Sequence, residues 1–209
     1  MIDLYTFTTP NGRKVSIMLE ELEIPNTVHT IDITKGDQMA PEFLKISPNN
    51  KIPAIVDHDN GVSMMESAAI MLYLAEKTGR FVPTSDRGRW AHMEWLMVQM
   101  GGVGPMLGQT HHFVKYNPGK APYAEERYLN ENKRLYGVLD KRLADHEYLV
   151  DEYSVADMAT WPWISRFDWQ TMDLNDYPNL KRWYLAIAAR PAVQRGYHVP
   201  KKVQEIPMP

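Results

Sequence analysis

Three short stretches carry residue types that can hold a small charged molecule. Lys51-Ile52-Pro53-Ala54 sets a proline just before an apolar, strand-like run. Proline suits a strand's first residue because it has no N–H to leave unpaired. With a cis Ile52–Pro53 bond, a minority state for X-Pro, the backbone of Ile52 is instead offered to a peptide lying alongside. Met65-Glu66-Ser67-Ala68 opens an apolar helical run. It reads as a cap, with Ser67 closing the helix start and Glu66 favoured by the dipole. It reads equally as a holder for an α-amino acid head group, the helix N-terminus and Ser67 taking the carboxylate and Glu66 the ammonium. Thr9-Pro10-Asn11-Gly12 falls at a strand-to-helix turn, where backbone N–H groups and short polar side chains converge. Such a turn caps a helix, or it stabilises an anion, a thiolate included.

Any thiol chemistry here must use a thiol the chain does not own. There is no cysteine, which excludes disulfides, Cys-ligated zinc and a protein thiol nucleophile. Seven histidines leave a metal site open in principle, but adjacent His111 and His112 diverge by about 100° on a helix, so no metal site is assigned. Gly101-Gly102-Val103-Gly104 lacks the following Lys-Ser/Thr of a phosphate loop and reads as close helix packing or a bend near Pro105. Trp161-Pro162-Trp163 reads as kinked, aromatic core, and the thirteen methionines sit largely at apolar helical positions. A net charge of −3 with no Lys/Arg block argues against nucleic acid or an anionic membrane as the main partner. No signal-peptide pattern and no membrane-length apolar run is visible, so a cytoplasmic location is expected.

The elements that must position these residues follow two periodicities. Strands are expected over 2–7, 27–33, 54–56 and 62–65, the last pair joined by the Asp59-Asn60-Gly61 turn. Between them, Val15, Met18, Leu19 and Leu22 mark an amphipathic helix, Pro41 to Ile46 a short one, and Glu66 to Glu76 a buried one. The order βαβαββα matches a thioredoxin-like sheet. After Gly79 the strand pattern stops. The expected fold is α/β plus all-α: a thioredoxin-like domain over 1–78, a linker over 79–86, and a helical bundle over 87–209. In the bundle, Ser154-Val155-Ala156-Asp157 is a capping box, and residues 200–209 read as a surface tail.

The three stretches also occur in the order and spacing of one family. The chain resembles cytosolic glutathione transferases over essentially its full length, on Ile52-Pro53, Glu66-Ser67-Ala68-Ala69-Ile70 and Ser154-Val155-Ala156-Asp157. More narrowly, it is similar to the bacterial nu-class disulfide-bond oxidoreductases and their fungal nitrogen-regulator relatives. That finer likeness rests on Thr9-Pro10-Asn11-Gly12, Pro41-Glu42-Phe43-Leu44, the run from Ile46 to His58, the run from Gly104 to Gln109, His111-His112-Phe113 and Glu126-Arg127-Tyr128.

The resemblance implies a glutathione-dependent disulfide-bond oxidoreductase in which bound glutathione is the thiol nucleophile. A transferase conjugating electrophiles or reducing peroxides, and a non-catalytic binding or regulatory module, are the alternatives. It further implies that Glu66 and Ser67 hold the γ-glutamyl head, and that Ile52 pairs with the cysteinyl unit beside a cis Pro53. Gln38 and Lys51 approach the glycyl end, while Thr9 and Asn11 face the sulfur. Arg127 helps hold a second glutathione or the acceptor's carboxylate, and His111 and Phe113 line the acceptor pocket. Tyr5, near the position of the catalytic tyrosine of other classes, is read as a packing residue. One or two glutathiones per subunit and a homodimer are likewise implied by the family.

Overall fold

Along Ile2–Thr6 (β1), Ile2, Leu4 and Thr6 are buried and the intervening residues half-buried, the period-two pattern of a strand with one face on a core. The computed structural model describes residues 1–209 and pairs β1 with Asn26–Thr30 (β2) in parallel and with Ala54–Asp57 (β3) antiparallel. Val62–Met65 (β4) completes the sheet against β3, giving the order β2-β1-β3-β4. Helices Pro10–Leu22 (α1), Pro41–Ile46 (α2) and Ser67–Thr78 (α3) accompany it. This is the expected thioredoxin-like βαβαββα order. The second strand is shorter than the sequence pattern suggests, ending at Thr30. Asp32 instead accepts the Thr34 N–H and the Thr34 hydroxyl on its carboxylate in a turn, as Asp commonly does.

By internal contacts the chain forms two units, Met1–Val82 with Ala189–Ile206, and Pro83–Ala188 with Pro207–Pro209. Residues 189–206 therefore belong with the first unit, whereas the sequence pattern groups them with the helical bundle. Their helix, Pro191–Tyr197 (α9), lies on α1 so closely that a Cβ on Gly196 would stand 2.6 Å from the Cα of Ile17. Arg13 of α1 stacks on the Tyr197 ring at 3.5 Å and donates to the Tyr197 carbonyl. Ser16 donates to the Gly196 carbonyl. A helix covered on two sides buries more than one stripe, which is why Arg13 and Lys14 are buried together with Val15 and Met18.

The second unit is helical. Asp86–Val98 (α4) runs through a π-helical turn at Gln99–Val103 into Gly104–Thr110 (α5), and then a second π-helical stretch at His111–Tyr116. Pro105 has no N–H for the preceding turn, which loosens the helix there. Gly104 lets that backbone approach the Trp163 ring, where a Cβ would meet the indole nitrogen at 3.2 Å. Pro122–Leu143 (α6), Val155–Ile164 (α7) and Pro178–Ala188 (α8) follow. α7 is buried along its whole length, Trp161-Pro162-Trp163 included, and opens on the Ser154–Asp157 capping box.

Candidate functional site

Strand register alone brings the three stretches together. Tyr5 of β1 stands opposite Ala54 of β3, and Ala54 opposite Met65 of β4. The chain therefore leaves β1 toward Thr9, enters β3 from Ile52–Pro53 and leaves β4 toward Glu66, all at one end of the sheet. β2 is parallel to β1, with Thr30 opposite Thr6, so the loop that leads to Gln38 starts from that same end. Gln38 itself lies in a single 3-10 turn, Asp37–Met39.

At the first of these exits Thr9 is the N-cap of α1: its hydroxyl oxygen accepts the Gly12 N–H at 3.1 Å. Thr9 donates its own N–H to the Phe7 carbonyl at 2.7 Å, closing a tight turn. Gly12 is required by that turn, since a Cβ there would lie 2.2 Å from the Phe7 carbonyl oxygen. Pro10 occupies the first helical position, where its missing N–H costs nothing. The Thr9 hydroxyl accepts one bond and keeps its proton, so it can still donate to an anion. Thr9 and Asn11 thus stand at the amide-rich, positive start of a helix.

At the second exit, the Ser47 hydroxyl donates to the Lys51 carbonyl at 2.8 Å and pins the loop. The Ile52–Pro53 bond is cis, with Pro53 buried, Ile52 half-buried and Lys51 exposed. At the third, Glu66 precedes α3 with φ 71°, a left-handed value rare for a residue with a Cβ. Strain of this kind of about 1–3 kcal/mol persists where the surroundings over-determine it, commonly at ligand sites. Glu66 is the N-cap residue and makes no side-chain capping bond, so the cap falls one residue earlier than a Ser67 cap requires. Ser67 is instead the first helical residue, 4% exposed. The first amides of α3 have no partner within the helix.

The residues present fit a ligand with carboxylates, an ammonium and peptide groups. Two helix N-termini and Ser67 supply N–H and O–H donors, and Glu66 supplies an exposed carboxylate. The buried side-chain oxygen of Gln38 has no partner in the chain and can accept from a ligand amide. Tyr5 packs instead: its ring stacks on His29 at 4.6 Å and tilts against Phe43 at 6.2 Å. Burial, then the Asp3 charge, raise its hydroxyl pKa, so the phenol keeps its proton. The sequence left Arg13 and Lys14 unassigned. Two adjacent cations beside Val15, inside an apolar helical pattern, were the only trace of their burial.

Arg127, His111 and Phe113 lie in the second unit. Arg127 is exposed on α6, beside a cavity of about 570 Å³ lined also by Met106, Tyr123, Glu126 and Arg134. Phe113 stacks on Tyr128 at 5.5 Å. His111 is buried, stacked on Trp163 and edge-on to Trp169. Burial, and next the Arg166 and Lys115 charges, bring its pKa down to about 4. No cluster of three or more His, Asp or Glu side chains able to hold a metal ion is present.

Two family models match the chain: the glutathione S-transferase N-terminal domain over residues 8–77 and the glutathione S-transferase C-terminal domain over 103–191. Disulfide-bond oxidoreductase YfcG of Escherichia coli K12 is 53% identical over 198 residues, covering 92% of each chain. A glutathione transferase from Burkholderia graminis, solved with two glutathione molecules per subunit, superposes with a TM-score of 0.88 at 43% identity. That match covers 96% of this chain and 89% of the other. One from Pseudomonas putida, solved with one glutathione disulfide per subunit, gives a TM-score of 0.89 at 40% identity, over 95% and 91% of the two chains.

Proposed function

The chain belongs to the glutathione S-transferase family, and on that premise we propose that it is a glutathione-dependent disulfide-bond oxidoreductase whose nucleophilic sulfur is that of bound glutathione. One observation carries the reading: the only hydroxyl capping α1 keeps a free proton at a helix start, in a chain without any thiol of its own. Glu66 and Ser67 hold the γ-glutamyl head, Ile52 beside Pro53 holds the cysteinyl backbone, and Gln38 with Lys51 takes the glycyl end. Thr9 and Asn11 donate to the sulfur. A free thiol has a pKa of about 8.5, and donors to its anion lower that value.

Thr9 and Asn11 hold the thiolate while it attacks one sulfur of an acceptor disulfide. The new S–S bond joins glutathione to half of the acceptor, and the other half leaves as a thiolate that takes up the proton released earlier. A second glutathione thiolate then attacks the glutathione sulfur of the mixed disulfide, releasing the remaining thiol and glutathione disulfide. The relatives solved with two glutathiones or with glutathione disulfide support room for this second step. Arg127 is the residue assigned to the second carboxylate. The same reading makes the protein a cytoplasmic homodimer. No helix is long and apolar enough to cross a membrane, and Trp90 and Met97, 74% and 49% exposed one heptad apart on α4, offer an apolar stripe for subunit contact.

The deciding experiment is turnover of 2-hydroxyethyl disulfide with reduced glutathione and a coupled glutathione reductase. Thr9→Ala with Asn11→Ala is expected to lower kcat/KM by about a hundredfold, the scale of losing donors to a developing anion. Undiminished turnover by the double variant sinks the assignment of these two residues. Glutathione binding without disulfide turnover would favour conjugation of electrophiles.

A further inference from the structure

The cavity of about 570 Å³ beside α6 is lined by two arginines and two glutamates, and these four charges are not equally available. Arg127, Glu131 and Arg134 recur at i, i+4 and i+7 of α6, so they share one side of the helix. The two arginines stand about 10 Å apart along its axis. Arg134 donates from Nε to one Glu131 carboxylate oxygen at 2.8 Å and from Nη2 to the other at 2.7 Å. That fork occupies both oxygens of the carboxylate and one edge of the guanidinium. Arg134 holds the Glu131 carboxyl below its usual range against the effect of burial, and the Arg127 charge adds to this. Glu131 therefore stays ionised at neutral pH. Arg127 and Glu126 are exposed and belong to no ion pair, so Arg127 keeps its donors for a ligand.

We propose that Glu131 is a specificity-determining residue: by holding Arg134 in a two-bond pair it leaves Arg127 as the one open cation, so the cavity takes acceptor halves with a single carboxylate and rejects dicarboxylates. The inference rests on the reading of Arg127 given above, as the residue that holds the acceptor's carboxylate. An exposed ion pair adds little to stability; the consequence of this one is for recognition. A first carboxylate meets Arg127 without displacing any bond in the chain. A second on the same acceptor half must either break both bonds of the Arg134 fork or lie against the carboxylates of Glu126 and Glu131. A site rejects a competitor by building such like-charge contacts against it. Glu131 thus acts through Arg134, without touching the ligand that is accepted.

The test measures kcat/KM with reduced glutathione for dithiodipropionate, with one carboxylate per half, and dithiodisuccinate, with two. Each value is corrected for uncatalysed exchange and taken relative to 2-hydroxyethyl disulfide, which has none. Wild type is expected to prefer dithiodipropionate by about tenfold or more. Glu131→Gln frees Arg134 and is expected to raise the value for dithiodisuccinate about tenfold, the scale of one hydrogen-bonded charge pair. Dithiodipropionate should shift less than about twofold, and adding Arg134→Met to Glu131→Gln should abolish the gain. A gain shared equally by both acids, or one that survives the loss of Arg134, is a general charge effect and overturns the proposal. So does a loss of dithiodipropionate turnover in Arg134→Met alone, which means that Arg134 already takes the ligand. If Glu131→Gln does not fold, Glu131→Ser carries the same comparison. Wild type that turns over none of the three disulfides, or Arg127→Met that costs dithiodipropionate nothing, overturns the inference together with the reading beneath it. Turnover whose selectivity is indifferent to Glu131 overturns the inference alone.

Discussion

At the residue scale, one hydroxyl carries two duties that substitution can separate. The Thr9 oxygen accepts from Gly12 N–H and so caps α1, while its proton is assigned to the glutathione sulfur. Aspartate caps a helix as well as threonine does, yet an ionised carboxylate has no proton to give and repels a thiolate. Thr9→Asp is therefore expected to keep thermal stability within a few degrees of wild type, or within about 0.5 kcal/mol. Its disulfide turnover falls about a hundredfold, and the thiolate absorbance of bound glutathione moves to higher pH. Thr9→Ser retains cap and donor and stays near wild type. A Thr9→Asp protein that turns over disulfide normally would reduce Thr9 to a cap. These duties were legible in the sequence only as alternatives, because a cap and an anion site call for the same residue types at the same turn. Gln38 was legible through the family likeness alone, since an isolated glutamine in a loop has no pattern.

At the element scale, the two π-helical stretches that interrupt the long helix from Asp86 to Tyr116 place His111 in a buried network. Tyr136 donates to the Gln170 side-chain oxygen at 2.5 Å, which turns the Gln170 amide nitrogen toward His111 at 3.1 Å. That nitrogen also donates to the Trp163 carbonyl at 2.8 Å. His111 Nε2 must accept, so the ring is neutral; protonation would set one N–H against another. The folded pKa of about 4 lies below the ordinary 6.5, so protons favour the unfolded chain. This contribution is full above about pH 6.5 and is lost as pH falls toward 4, about 2 kcal/mol of it between pH 7 and 5. Denaturant midpoints are expected to fall over that range, and His111→Phe, which keeps the ring but not the titration, to flatten the slope. An unchanged slope would mean that His111 is not held neutral. The helices themselves were readable from spacing, and a bend near Pro105 was expected; the π geometry was not, since spacing does not show the close approach of Gly104 to Trp163, a contact between residues far apart in sequence. Packing of α9 on α1 escaped the sequence for the same reason, and with it the burial of Lys14.

At the scale of the whole molecule, two properties of the chain meet: a sheet whose register gathers Thr9, Ile52–Pro53 and Glu66 at one end, and the absence of cysteine. A related fold that owned its nucleophile would place a cysteine at the start of α1, where a helix dipole lowers thiol pKa; here that place is taken by Thr9-Pro10-Asn11. The missing sulfur must then arrive with the ligand, and the protein's share of catalysis is to bind, orient and stabilise it. This separates the chain from enzymes that alternate between dithiol and disulfide forms, because it has no redox state of its own to lose. Treating the protein with iodoacetamide, removing the reagent and then adding fresh glutathione should leave disulfide turnover unchanged, and prior incubation with an oxidant such as diamide should do the same after its removal. A protein-borne thiol would be alkylated and inactive. Inactivation here would instead point to a modified side chain within the site, and mass spectrometry of the treated protein would identify which residue carried the adduct.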